Sequence, residues 1–249
     1  MSLPQLAAGK PIGIDEVAVS HWLHPGIQAV FFDAVGTLLI PNPPASQVYA
    51  AIAREEGLSD TAMAIEQRFR VAFRAEEEVD RAGRWVTCEA REETRWRRIV
   101  QATLPRLADP DVGFRRLFAH FSHPNAWRVH PDAATVLPAL REYGLKLGIA
   151  SNFDRRLDPV VGGLDALAPA RDLIVISSSV GFRKPAAEFF AAVVDVAGCR
   201  ADAILFVGDH IENDYDGAAA AGLAAVLLDP EGRHPYVRRR VSTLSDLLA

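Results

Sequence analysis

Residues 27–40 have the sequence Ile-Gln-Ala-Val-Phe-Phe-Asp-Ala-Val-Gly-Thr-Leu-Leu-Ile, which is the most informative segment of the chain for its fold. A short, mostly apolar run ends in a carboxylate, Asp33, and a glycine, Gly36, follows three residues later. Apolar runs of this length are typical of parallel strands that are buried on both faces. We therefore predict a buried strand over 27–33 whose carboxyl end presents Asp33 to a loop.

The same pattern recurs four times toward the end of the chain. Apolar runs that end in small or acidic residues occur at 145–150, 173–177, 203–208 and 224–228. Helical patterns lie between these runs, over 132–143, 185–197 and 213–221. Strands that alternate with helices predict an α/β fold with a doubly wound, parallel, Rossmann-like sheet.

A second kind of sequence interrupts this pattern after the first strand. From residue 45 to about 122 no strand-like run occurs, and amphipathic helices are predicted over 47–56, 61–82, 89–104 and 112–121. We therefore predict an N-terminal extension (1–26), a discontinuous α/β core (27–42 and 130–249) and an inserted all-helical domain (43–129).

Composition excludes several classes of protein. The chain has 249 residues, 49% of them hydrophobic, and a formal charge of −5, which is unlike a protein whose main task is to bind nucleic acid. It has no apolar run long enough to span a membrane, and its start lacks the basic segment of a signal peptide. Cys88 and Cys199 show no metal-binding spacing and are expected to be buried free thiols. These features predict a cytoplasmic protein with neither nucleic acid nor membrane as a partner.

Chemically active residues follow the predicted strands. Because ligands bind at the carboxyl ends of parallel strands, we expect one site there that contains Asp33, Ser151, Lys184, Asp209 and Asp214. Lys184 is one of only three lysines in the chain. A carboxylate nucleophile, a hydroxyl, a cation and a carboxylate pair suit phosphoryl transfer, which needs in-line attack and neutralisation of phosphoryl charge.

Four motifs resemble those of the haloacid dehalogenase (HAD) superfamily, in the same order and at suitable spacing. They are FFDAVGTLL (31–39), IASN (149–152), GFRKP (181–185) and VGDHIENDYDGAAAAG (207–222). Residues 121–157 further resemble the branch of haloacid-dehalogenase-like hydrolase domain-containing proteins. Each motif alone is weak, but the ordered set covers the chain from about residue 27 to its end.

The resemblance implies the role of each matching residue. Asp33 would be the nucleophile that forms an aspartyl-phosphate, and Lys184 would pair it with the phosphoryl oxygens. The phosphate would be bound by Ser151, Asn152 and Thr37. Mg²⁺ would be held by Asp33, the backbone carbonyl of Val35, Asp209 and Asp214, the last of these directly or through water. Glu212 and Asp216, next to these acids, are expected to be solvated.

The sequence departs from the family pattern at Val35. Phosphatases of this superfamily usually carry a second Asp there, which protonates the leaving oxygen and later activates water. Three interpretations remain open. In the first, the chain is a phosphatase that uses another acid, such as His210 or a residue of the insert, or that acts on acyl or aryl phosphates. In the second, it is a carbon–halogen hydrolase. In the third, it is an impaired relative that serves as a binding protein.

The helical insert matches in position the mobile cap of this superfamily, and we call it the cap. Arg95, Arg97 and Arg98, beside Trp96, are candidates for phosphate or carboxylate contacts, although a solvated helix face is the favoured interpretation. The expected substrate is a small phosphorylated or carboxylated metabolite.

Overall fold

The structure is a computed structural model that describes residues 22–249. Most of the predicted N-terminal extension, residues 1–21, lies outside the described residues. Within the described part, Leu23 and Ile27 are buried against the core that contains the first strand.

Six parallel strands form one sheet. Its order is β5-β4-β1-β6-β7-β8, and β1 therefore lies between β4 and β6 near the centre. The strands are β1 (Ala29–Phe32), β4 (Lys146–Ser151), β5 (Ile174–Ile176), β6 (Ile204–Gly208), β7 (Ala224–Leu228) and β8 (Arg240–Val241).

Side chains of β1 alternate between two hydrophobic cores. Val30 and Phe32 belong to one core, whereas Ala29 and Phe31 belong to the core on the opposite face. Because both faces are covered, every residue of β1 is fully buried, as the apolar run predicts. The helices that cover the sheet are α5 (Ala133–Glu142), α6 (Leu157–Gly162), α7 (Ser177–Val180), α8 (Ala187–Ala197) and α9 (Gly217–Ala220).

The cap consists of four helices with a small core of their own. They are α1 (Ala45–Glu55), α2 (Ala62–Ala82), α3 (Glu89–Thr103) and α4 (Pro110–His120), each within two residues of the predicted bounds. Ile65, Val100 and Leu117 belong to the core of the cap. Two short antiparallel strands, β2 (Leu39–Pro41) and β3 (Trp127–Val129), carry the chain into and out of the cap. The predicted fold class is confirmed, while the domain boundaries at 43 and 129 stay a prediction.

Three features differ from the sequence-based expectations. Strands β2, β3 and β8 were not predicted, because two or three residues are too few to show a period. The helix predicted over 213–221 is a π-helical turn (Ile211–Asp216) that runs into α9. The expectation of two buried thiols was wrong, since Cys88 is exposed and Cys199 is half-buried.

No helix between residues 22 and 249 is long and apolar enough to cross a membrane.

A buried ion-pair network joins the cap to the loop that precedes α8. Arg183 of this loop is 5% exposed and pairs with Glu92 on α3 and with Asp80 on α2. Backbone hydrogen bonds reinforce the contact, since Thr87 N–H donates to the carbonyl of Gly181 and Arg183 N–H to that of Trp85, both at 2.9 Å. The network therefore fixes the cap against the segment that carries Lys184.

Glu92 provides a test of this network. It is 1% exposed, and it pairs with Arg183 and accepts a hydrogen bond from Thr87 Oγ1. Burial opposes ionisation of Glu92, but Arg183 and Thr87 hold its pKa below the ordinary range. We expect Glu92→Ala to lower the free energy of unfolding by about 3–5 kcal/mol, because it leaves the Arg183 charge buried without its main partner.

The matched control is Glu93→Ala, the next residue on the same helix. The Glu93 side chain is 54% exposed and pairs with Arg97 one turn away. Its removal is expected to change the unfolding free energy by less than about 0.5 kcal/mol. Chemical denaturation of both variants measures the difference, and equal losses would contradict a network that depends on burial.

Candidate active site

Asp33 is positioned by the central strand. It follows β1 directly, and its backbone N–H donates to the carbonyl of Val207 on β6 at 2.8 Å, so the sheet pairing continues up to the carboxylate. The loop turns at Gly36, which has a φ of +99°. A Cβ atom at Gly36 would lie 2.3 Å from Oδ2 of Asp209. Glycine therefore permits both the left-handed turn and the close approach of the loop to the second carboxylate.

The ammonium group of Lys184 lies at the centre of the site. Its Nζ donates to Oδ1 of Asp33 and to Oδ1 of Asp214, each at 2.6 Å, and to the carbonyl of Ala150 at 3.2 Å. The three acceptors satisfy its three protons. Lys184 is 2% exposed; burial opposes its charge, yet Asp214 and Asp33 raise its pKa above the ordinary value.

Ser151 and Asn152 hold Asp33 and Lys184 in place. Ser151 Oγ donates to Oδ1 of Asp33 at 3.2 Å, the same oxygen that Lys184 contacts. The amide of Asn152 pairs with the backbone of Lys184 in both directions, accepting from its N–H at 2.7 Å and donating to its carbonyl at 3.0 Å. Asn152 therefore positions Lys184. The family resemblance implied a phosphate contact for Asn152 and did not indicate this second role.

Asp209 and Asp214 complete a cluster of three carboxylates. Oxygen atoms of Asp33, Asp209 and Asp214 all lie within 4.8 Å of one another. The π-helical turn directs Asp214 inward, where Oδ2 accepts the backbone N–H of His210 at 2.9 Å. Turns of this kind occur often at functional sites, and this one explains why the predicted helix over 213–221 is broken.

The carboxylates carry more negative charge than Lys184 neutralises. Burial raises the pKa of Asp33 to about 6, with Lys184 opposing and Asp214 adding to the rise. Burial and the charges of Asp33 and Asp214 raise the pKa of Asp209 to about 7. An all-oxygen donor set with surplus negative charge fits Mg²⁺, a hard cation that prefers oxygen ligands.

Thr37 and Val35, both in the first motif, differ in their access to the cavity beside Asp33. Thr37 is fully buried, its Oγ1 has no hydrogen-bond partner among the described residues, and it does not line the cavity beside Asp33. Val35 lines that cavity and is 37% exposed, so an apolar side chain faces the cavity beside Asp33.

A cavity of about 320 Å³ extends from the carboxylates into the cap. The side chains of the site that line its wall are those of Asp33, Val35, Ser151, Asn152, Lys184, Asp209 and Asp214, together with those of His210, Arg183 and Arg156. The part inside the cap is lined mainly by aromatic rings, which are Tyr49, Phe69, Phe73, Trp96, Phe114, Phe118, Phe121, Trp127 and, from the core, Phe153. The cavity therefore joins a charged end to an apolar end.

The cap arginines divide into two groups. Arg95 lines the cavity and is 1% exposed, so the solvated face favoured for it was wrong. Arg97 pairs with Glu93 and Asp111, and Arg98 is exposed. Helical periodicity placed all three arginines on one helix, but only the packing of α3 on α2 decides which of them is buried.

Two further charged contacts, one in the cavity wall and one between the cap and the turn after β6, were not predicted from the sequence. Arg156 lines the cavity and is held by both carboxylate oxygens of Asp154. Glu212, expected to be solvated, accepts two hydrogen bonds from Arg81 of the cap at 2.7 and 2.9 Å. Asp216 is exposed, as expected. No local signal marks these contacts, because their partners lie in a different part of the fold or depend on the loop conformation.

Comparison with known proteins gives consistent matches. The family model described as haloacid dehalogenase-like hydrolase matches residues 27–222. The human protein haloacid dehalogenase-like hydrolase domain-containing protein 3 is 32% identical over 222 residues, which cover 86% of this chain and 87% of that protein.

Solved structures share the fold. A HAD phosphatase from Thermococcus onnurineus superposes with a TM-score of 0.64 at 24% identity, over 89% of this chain and 96% of that one. The L-2-haloacid dehalogenase from Xanthobacter autotrophicus superposes with a TM-score of 0.68 at 21% identity, over the same shares of the two chains.

The raised pKa values predict that the metal-free protein loses stability as pH rises. Below about pH 4, Asp33 and Asp209 are protonated in both the folded and unfolded states. Between about pH 4 and pH 7 the unfolded chain has lost these protons while the folded protein keeps them, so stability falls through this range. Asp33 alone accounts for a loss of about 3 kcal/mol.

Thermal unfolding in chelator between pH 4.5 and pH 8 measures this effect. The melting temperature of the native protein is expected to fall across the range, and that of a variant with Asp33→Asn and Asp209→Asn to fall less. A native melting temperature that rises toward pH 8 would contradict the raised pKa values of Asp33 and Asp209.

Proposed function

The chain belongs to the haloacid dehalogenase-like hydrolase family and is a hydrolase, and from this premise we propose that it is a Mg²⁺-dependent phosphatase that acts on a small phosphorylated metabolite. The fold does not decide the reaction, because the phosphatase and the dehalogenase both superpose on this chain. A cytoplasmic location fits the free thiols of Cys88 and Cys199.

One observation carries the choice of phosphatase, namely the cluster of three carboxylates beside the ammonium group of Lys184, of which Asp33 and Asp214 are buried and Asp209 is half-buried. A carbon–halogen hydrolase needs one ionised carboxylate and gains nothing from two more beside it, one of which, Asp214, raises the pKa of Asp33. A phosphatase that binds Mg²⁺ uses the surplus charge to hold the metal. Asp33, Asp209 and Asp214, with the backbone carbonyl of Val35, are the groups that would hold it.

The proposed reaction has two displacements at Asp33. A carboxylate oxygen of Asp33 attacks phosphorus, and the bond from phosphorus to the ester oxygen breaks, so that an aspartyl-phosphate forms and the leaving group departs as an alkoxide or phenoxide, which takes up a proton from water or from His210. Water then attacks the phosphorus of the aspartyl-phosphate, the bond from phosphorus to the Asp33 oxygen breaks, and inorganic phosphate leaves with the protons of that water while the carboxylate is restored.

Side chains of the site provide charge and orientation. Lys184 and Ser151 hold the Asp33 carboxylate in one orientation and lie where they can contact phosphoryl oxygens. Asn152 keeps Lys184 in place through its backbone. When bound, Mg²⁺ would supply further neutralisation of phosphoryl charge.

Val35 restricts the substrates of this reaction. It offers no proton to the leaving oxygen, so esters of acidic alcohols and acyl phosphates are favoured. His210 is the alternative source of a proton; it lines the cavity, and its Nδ1 accepts the backbone N–H of Asn213 at 3.1 Å, which places the proton of the neutral ring on Nε2.

A comparison of three substrates tests the proposed function. The native protein is assayed with 4-nitrophenyl phosphate, glycerol phosphate and 2-chloropropionate, each with Mg²⁺ and with chelator. We expect phosphate release that requires Mg²⁺, is fastest with the aryl ester, and is abolished in Asp33→Asn. Halide release in chelator would identify a dehalogenase, and no turnover of any substrate would favour a binding protein.

Introducing the missing acid at position 35 should widen the range of substrates. Because Val35 is partly exposed in the cavity, an Asp there can contact the leaving oxygen. We expect Val35→Asp to raise glycerol phosphate turnover by at least about tenfold, since general acid catalysis typically contributes about 10²–10⁴. Val35→Leu is the matched control and should give no gain. An unchanged rate in Val35→Asp would show that another residue supplies the proton. The next variant to assay would then be His210→Asn.

A further inference from the structure

We infer that the alcohol part of the substrate is an aromatic ring that carries a hydrogen-bond acceptor, which makes the substrate an aryl monophosphate. This inference rests on the proposed phosphatase function and names its substrate class. It is carried by the aromatic wall of the cavity, by a buried arginine with an unused donor, and by the apolar side chain at position 35.

The cap half of the cavity is an aromatic chamber, defined by Tyr49, Phe69, Phe73, Trp96, Phe114, Phe118, Phe121 and Trp127. Its rings contact one another in series: the centroids of Tyr49 and Phe69 are 5.7 Å apart, those of Phe69 and Phe73 are 5.9 Å apart, and those of Phe73 and Trp96 are 6.4 Å apart. Edge-to-face and offset contacts of this kind favour a further aromatic ring.

The chamber disfavours polar alcohols. A sugar or glycerol unit would lose its hydrogen bonds to water and find few partners among the rings, at a free-energy cost for each hydroxyl group. A cavity of about 320 Å³ that also contains the phosphoryl position is at the small end of ligand pockets. It therefore fits a single substituted ring better than a nucleoside or a long chain.

Arg95 and Glu77 of the cap both line the cavity, and Arg95 is the buried one of the two. Its Nε donates to Oδ2 of Asp80 at 2.9 Å, and its guanidinium carbon lies 4.4 Å from the centroid of Phe73. Nη2 of Arg95 is buried and has no hydrogen-bond partner among the described residues. A buried donor of this kind is costly unless it is satisfied, and an acceptor on the bound ring would satisfy it.

Arg156, which also lines the chamber, has no comparable free donor. Its Nε and Nη2 donate to the two oxygens of Asp154 at 2.7 and 2.6 Å, and its guanidinium carbon lies 3.6 Å from the centroid of Phe118. The contrast assigns recognition of the ring substituent to Arg95. The acceptor is a carboxylate or carbonyl oxygen, since both accept from a guanidinium N–H.

The chemistry at Val35 leads independently to the same class. Phenols have a pKa near 10, as the tyrosine side chain shows, whereas water and simple alcohols are much weaker acids. A phenolate therefore leaves from phosphorus without the proton that an Asp at position 35 would supply. The absence of an acid at position 35 favours a phenolate leaving group, and the aromatic chamber at the other end of the cavity fits the same aromatic ring.

Binding of non-hydrolysable phosphonates tests the inference separately from catalysis. Phenylphosphonate, 4-carboxyphenylphosphonate and propylphosphonate are titrated calorimetrically into the full chain with Mg²⁺. We expect phenylphosphonate to bind at least about tenfold more tightly than propylphosphonate, and the carboxyphenyl compound more tightly than phenylphosphonate. Equal affinities for phenyl and propyl compounds would overturn the assignment of an aryl substrate.

Variants of the chamber locate the contacts. Phe73→Leu is expected to weaken phenylphosphonate about three- to tenfold and to leave propylphosphonate unchanged. Arg95→Gln should abolish the advantage of the carboxyphenyl over the phenyl compound, and Arg95→Lys, which keeps the charge beside Asp80, serves if the Gln variant does not fold. Arg98→Gln, an exposed change on the same helix, is the control. A carboxyphenyl advantage that persists in both Arg95 variants would overturn the role of Arg95.

The two proposals fail differently. A preference for the ring in the titrations without phosphate release from any ester would refute the phosphatase and retain the aryl chamber. Mg²⁺-dependent phosphate release that is as fast from glycerol phosphate as from phenyl phosphate, with no preference for the ring, would retain the phosphatase and refute the aryl substrate.

Discussion

The buried ammonium group of Lys184 is the interaction on which the arrangement of the site depends. Its three acceptors come from three neighbouring strands: Asp33 follows β1, Asp214 lies in the turn after β6, and the carbonyl of Ala150 belongs to β4. A buried cation without acceptors is strongly destabilising, so the carboxyl ends of these strands must stay in register around it. The sheet order β4-β1-β6 and the inward turn of Asp214 are thus coupled through one side chain.

The carboxylates around Lys184 also bring several negative charges close together. Two carboxylates suffice to bind the ammonium group, yet Asp209 adds a third. Burial raises the pKa of Asp33 to about 6, with Asp214 adding to the rise, and burial together with the charges of Asp33 and Asp214 raises the pKa of Asp209 to about 7. A bound divalent cation would relieve this repulsion, and affinity for it would follow from the excess of carboxylates rather than from any single ligand.

Much of the core and part of the site could be predicted from the sequence, because both depend on local patterns. Apolar runs that end in Asp33, Ser151 and Asp209 identify strands of a parallel sheet, and the edge where such strands end is known in advance. The cap contacts could not be predicted in this way. Arg183 and Glu92 are separated by 91 residues, and amphipathic periodicity shows which face of a helix is polar but not which charge on it becomes buried. The burial of Arg95 and the pairing of Glu212 with Arg81 depend on how the cap packs, which no local pattern encodes.

The apolar residue at position 35 is consistent with this charge distribution. An Asp there would be a fourth carboxylate beside Asp33, Asp209 and Asp214, and burial and neighbouring charges already oppose ionisation of Asp33 and Asp209. It would raise the pKa of Asp33 further, and a smaller fraction of Asp33 would be ionised near neutral pH in the metal-free protein. Val35 avoids that repulsion and continues the apolar wall of the cavity from the cap to the edge of the carboxylate cluster. With Val35 the site has no proton donor at this position. The Asp33 carboxylate lies instead beside an apolar surface that excludes water, and electrostatic contacts with a bound anion are stronger where water is excluded.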